Sequence, residues 1–137
     1  MNLIDITSPP WFTVVSPGVS PAFVFSYRAS LSSGQFLDTG NVSTYDTGQP
    51  IFGKNKLTRL RVSVEGNVNQ NTTFSLYRRT DANTKTAIAG ASITIDAGHY
   101  TASASYDIDL PPDIELCASV TAGSCKAPVL AVFLMPR

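Results

Sequence analysis

Side chains alternate between apolar and polar along most of this chain, and a period of two is the mark of a strand with one buried face. The longest case is residues 99–110, where Tyr100, Ala102, Ala104, Tyr106, Ile108 and Leu110 share one side. Thr101, Ser103, Ser105, Asp107 and Asp109 take the other. Residues 57–65 repeat the pattern, with Leu60, Val62 and Val64 against Arg59, Arg61, Ser63 and Glu65. Residues 22–29, 73–79 and 113–120 read as further strands, and residues 35–37, 50–52, 86–88 and 92–95 as shorter ones. Residues 127–134 are apolar on both faces, which predicts a central or subunit-buried strand. No ten-residue window carries a helical period. Gly, Pro and Asn turns separate the segments. The expectation is an all-β chain, a single antiparallel β-sandwich or jelly roll.

A length of 137 residues suits one domain. Residues 1–21 read as a Pro-rich N-terminal arm and residues 22–137 as the β-sandwich domain. Pro9, Pro10, Pro17 and Pro21 deny the arm a helix. An exposed Trp11-Phe12 pair is costly, so the arm is expected to dock through it on this domain or on a neighbour. The N-terminus has no basic, apolar leader, which predicts cytoplasmic synthesis without a signal peptide. No stretch approaches the roughly 20 apolar residues of a membrane span, so no membrane partner is expected.

Catalytic and metal chemistry find little material. His99 is the single histidine, no Gly-x-Ser-x-Gly elbow accompanies it, and it reads as a strand-edge polar residue. Structural zinc needs four Cys or His ligands, and the chain has two Cys and one His. Asp107, Asp109, Asp113 and Glu115 read as a solvated acidic face rather than a calcium site. The expectation is therefore no enzyme, no metal and no cofactor. Cys117 and Cys125 flank a Gly turn. A hairpin there would bring them to disulfide distance, reducing conditions would leave them free, and the spacing leaves both open.

Formal net charge is zero, which gives nucleic acid no long-range attraction. The charges are nevertheless segregated. From Lys54 to Arg79 there are six basic residues and one acid, Glu65. From Asp96 to Glu115 there are five acids and no Lys or Arg. Lys54, Lys56, Arg59 and Arg61 on one side, and Asp107, Asp109, Asp113 and Glu115 on the other, are candidate interface charges. Two readings stand: pairing between neighbouring copies, or neutralisation inside one sandwich.

Three stretches carry a resemblance: residues 57–65 followed by a Gly-Asn turn, Phe74-Ser-Leu-Tyr77, and the run from Asp109 to Leu134. In them the chain resembles small virion proteins of tailed bacteriophages, namely capsid decoration (cement) proteins and β-sandwich modules of tails and fibres. The resemblance implies a structural protein of the virion surface, a homo-oligomer, typically a trimer, bound to capsid or tail protein. It also implies that the cysteine pair would suit stabilisation after release from the cell. The alternative is a tail, collar or fibre module for a receptor or carbohydrate, with the loop at residues 38–50 (Asp38, Asn41, Tyr45, Asp46) as its binding site.

Overall fold

The computed structural model describes residues 21–137. The expected arm, with Trp11 and Phe12, lies outside the described residues apart from its last position. Among the described residues twelve strands run in order: β1 Phe23–Ser26, β2 Ser30–Ser32, β3 Asp38–Thr39, β4 Val42–Ser43, β5 Gln49–Pro50 and β6 Asn55–Ser63. They continue with β7 Thr72–Asp81, β8 Thr84–Ile95, β9 Thr101–Leu110, β10 Glu115–Ala122, β11 Ser124–Lys126 and β12 Val129–Pro136. No helix occurs among the described residues. Every strand pair is antiparallel.

The strands form a six-stranded sheet of order β4-β3-β1-β12-β6-β9 and a four-stranded sheet of order β5-β10-β7-β8. Strands β11 and β2 form a separate two-stranded ribbon. Core side chains come from both main sheets: Phe25, Leu60, Val62, Leu130 and Val132 from one, Phe74, Leu76, Leu116 and Val120 from the other. The molecule is thus an all-β sandwich, as the alternation predicts. Each fully buried Leu, Val or Phe contributes roughly 1.5–3 kcal/mol of transfer free energy.

The eight principal strands pair in a nested way. β7 pairs β8, β6 pairs β9, β5 pairs β10 and β1 pairs β12. The chain is therefore one long antiparallel ribbon, folded at the β7–β8 turn and wound so that successive pairs alternate between sheets. Contacts of β12 with β6 and of β10 with β7 lock the winding.

Local departures from the expected pattern have physical causes. Residues 86–95 form one strand, not two: Ser75 faces Ser92 but Tyr77 faces Ala87. The residues 88–91 bulge outward opposite Leu76, and Gly90 at φ 78° permits the kink. The β7–β8 turn is tighter than expected, with Asp81 facing Thr84 and the Asp81 carboxylate accepting from Asn83 N at 2.8 Å. Tyr100 does not face inward; it precedes β9 and is exposed. β12 is the predicted central strand, held between β1 and β6.

Gly123, between β10 and β11, has φ 78°, and a Cβ there would lie 2.6 Å from Asn71 O and from Thr72 Oγ1. Gly34 also has positive φ, but a Cβ would meet nothing within 4 Å. Gly123→Ala is therefore expected to cost about 3 kcal/mol, strain plus collision, and Gly34→Ala only about 1 kcal/mol. Urea unfolding of the two variants checks this; equal losses would contradict the packing at Gly123.

Candidate functional site

Alternation on the four-stranded sheet turns Leu116, Ala118 and Val120 to the core, and Cys117 and Ser119 to the other face. Tyr77 of β7 and Ala87 of β8 share the row of Cys117, and Arg79 and Lys85 share the row of Glu115. The segment 34–37 continues this sheet beside β10, beyond the short β5. Gly34 N donates to Val120 O at 2.8 Å, Leu37 N to Ala118 O at 2.9 Å, and Val120 N to Gln35 O at 3.1 Å. Leu37 then points into the core, and Phe36 points to the outer face.

Residues 38–48 return over that edge, fixed by buried polar groups. The Thr44 hydroxyl donates to Leu37 O at 2.6 Å and accepts from Ala118 N at 3.3 Å. Gly48 N donates to the Glu115 carboxylate at 3.1 Å, and Arg79 donates to the same oxygen at 3.0 Å. Gly48 is required by closeness: a Cβ would sit 2.7 Å from Glu115 Cβ. This packing raises Tyr45 beside Phe36.

The result is an aromatic cluster with a cation in it. Phe36 and Tyr45 have ring centroids 5.5 Å apart, and Phe36 and Tyr77 5.7 Å, both non-parallel. Lys85 Nζ lies 4.0 Å from the Tyr45 centroid and 5.6 Å from that of Phe36. Two clefts flank the Phe36–Tyr45 pair. One, of about 500 Å³, is lined by Phe36, Tyr45, Tyr77, Asn83, Lys85 and Thr121 among others. The other, of about 560 Å³, holds Asp38, Asn41, Tyr45 and Asp46 together with Tyr27 and Gln35. All four loop residues singled out in the sequence thus line one cleft. Phe36, Tyr77 and Lys85 were not singled out as binding residues; Tyr77 reads as an outward position of its strand, and nothing in the sequence places it, Phe36 or Lys85 beside the loop.

The segregated charges meet in part within the chain. Lys56 pairs with Asp107 at 2.6 Å across β6 and β9, and Arg137 with Asp109 at 2.6 Å. Arg79 pairs with Glu115 at 3.0 Å. Asp113 accepts from Gly53 N at 2.6 Å. Arg59 donates to Ser103 Oγ at 2.9 Å and lies 5.5 Å over the Phe133 ring. Lys54 and Arg61 have no ion-pair partner among the described residues.

Cys117 and Cys125 are free. The hairpin that would have joined them does not form, because β10 pairs with β7 whereas β11 pairs with β2. Burial pushes both thiols up, that of Cys125 to about 11. His99 sits in the exposed turn before β9, its backbone bonded to Asp96 and Val68. Among the described residues no three His, Cys, Asp or Glu side chains are grouped to hold a metal. No helix among them is long and apolar enough to cross a membrane. No protein-family model matches the chain, and no curated protein matches it.

Two outcomes follow from this electrostatics. The hydrogen bond and charge of Lys56 hold the exposed Asp107 carboxyl below its ordinary value of 3.8. A depressed carboxylate stabilises the fold above its unfolded pKa and loses that contribution as pH falls through the folded value. NMR titration should give Asp107 a midpoint below 3.8, rising toward the ordinary value in Lys56→Met. An unchanged midpoint in the variant would remove the ion pair. The fully buried Cys117 thiol should react with a thiol reagent more than tenfold faster in urea than in buffer. Rapid native labelling of Cys117 would contradict its burial.

Proposed function

We propose that this chain is a non-enzymatic structural protein of a bacteriophage virion, a capsid decoration protein that binds and reinforces the shell as an oligomer. One observation carries the reading: the nested pairing of β1·β12, β5·β10, β6·β9 and β7·β8. Two packed sheets wound from one folded ribbon are the arrangement of a jelly roll, an architecture of viral capsid and lectin domains. It agrees with the resemblance carried by the strands at residues 57–65 and 109–134.

A contact surface is at hand on the outer face of the six-stranded sheet. Val24 of β1 lies beside Ala131 of β12, which lies beside Arg61 of β6. Val129 is 46% exposed and Val24 40%. An apolar row with a cation along its flank is more suited to a protein neighbour than to water. Valency then turns weak single contacts into firm attachment. The aromatic cleft favours the second reading, a tail, collar or fibre module for a receptor or carbohydrate.

Light scattering on purified full-length protein should give an oligomer, three copies on this reading. Val24→Glu with Val129→Glu should dissociate it. The oligomer should also co-sediment with phage shells that lack the protein. A monodisperse monomer that ignores such particles at every concentration would overturn the assignment.

A further inference from the structure

We propose that the cleft between Tyr45, Tyr77 and Lys85 binds a carboxylated saccharide, such as a uronic-acid or sialic-acid residue of a cell-surface glycan. The charge decides the class. Lys85 is half-buried and held against two ring faces, yet it has no acidic partner within ion-pair distance among the described residues. Its row neighbour Arg79 takes the nearby carboxylate, Glu115. A partly desolvated ammonium without a counter-ion is a ready acceptor of an anion. Among the described residues no Asp or Glu lines this cleft.

The rest of the lining fits a sugar and disfavours other anions. Tyr45 is 60% exposed, and neither it nor Tyr77 uses its hydroxyl in a hydrogen bond among the described residues. Exposed tyrosines offer an apolar ring and a polar tip together, which suits the mixed faces of a pyranose. Asn83 and Thr121 add amide and hydroxyl groups at the rim. A volume of about 500 Å³ admits one or two sugar rings. Nucleic acid is a poor fit: one cation serves the cleft, and Asp38 and Asp46 line its twin across the Phe36–Tyr45 pair. A chain of phosphates would be repelled there.

This inference rests on the cleft as a binding site, which is the second reading above, and not on assembly into a particle. The test is an array of sialylated and uronic-acid oligosaccharides beside their neutral counterparts, probed with the full-length protein. Titration calorimetry and NMR shift mapping follow on the glycans retained. Acidic glycans should bind and neutral counterparts should bind at least tenfold more weakly. Lys85→Met, which keeps the aliphatic stem, should abolish that preference, and Tyr45→Ala should weaken binding at least tenfold. Lys126→Met, on β11 and outside the lining of this cleft, should bind as the parent does. Unfolding midpoints show whether each variant is folded; shift mapping on the parent chain needs no variant at all. No binding to any acidic glycan, equal binding by Lys85→Met, or shifts centred away from Tyr45, Tyr77 and Lys85 would each overturn the proposal. So would a preference for acidic peptides over acidic glycans. Loss of glycan binding with oligomerisation intact would sink the ligand reading alone, and the reverse result would sink only the assembly.

Discussion

Five consecutive residues of β10, Leu116 to Val120, are buried on both faces of their strand, and the architecture turns on them. Leu116, Ala118 and Val120 close the core from one side. Cys117 and Ser119 cannot remain wet on the other, because the segment 34–48 crosses there and bonds to the strand's own backbone. Buried backbone groups must be paired, so the loop is held in one register. That register fixes which side chains of the loop face outward. Phe36 alternates out because Leu37 alternates in. The aromatic cleft is thus a consequence of core packing.

Much of this was legible as alternation. The inward set of residues 57–65, Leu60, Val62 and Val64, and that of β7, Phe74 and Leu76, are buried as their spacing requires. β10 misled in part, because it reads as two-faced yet its second face is covered by residues some eighty positions earlier in the chain. Period reports the local faces of a strand; it cannot report a loop that arrives from far away. The same limit explains the cysteines. Eight positions across a Gly turn suggest a hairpin, but β11 finds its partner in β2. It explains the site as well. Asp38, Asn41, Tyr45 and Asp46 share one loop and could be seen together, whereas Tyr77 and Lys85 reach the cleft only through the β10–β7–β8 register.

The charge segregation has a similar origin. β6 is basic and β9 acidic, and the ribbon winding makes them neighbours. Lys56 and Asp107 therefore pair across an edge, where exposed ion pairs contribute little to stability but discourage a foreign strand from docking. The bulge at residues 106–107 of β9 acts in the same direction by interrupting that edge. Charges spent this way are largely unavailable for contacts between copies. Arg61 is different: its row neighbours are Ala131 and Ser103, with no acid. It is also the cation beside the exposed apolar row.

The two outer faces consequently carry different chemistry. The six-stranded sheet presents Val24, Ala131 and Val129 with Arg61 at the flank, a surface suited to flat protein contact. The four-stranded sheet presents a concave aromatic site with Lys85, which has no acidic partner among the described residues. Packed sheets are spaced about 10 Å apart by their shared core, so a neighbour bound to one face does not obstruct the other. A sandwich held by a neighbour through its larger sheet would keep the smaller sheet, and the cleft at its edge, turned toward solvent. The two surfaces need not compete, because the winding that buries the core also places them on opposite sides of it.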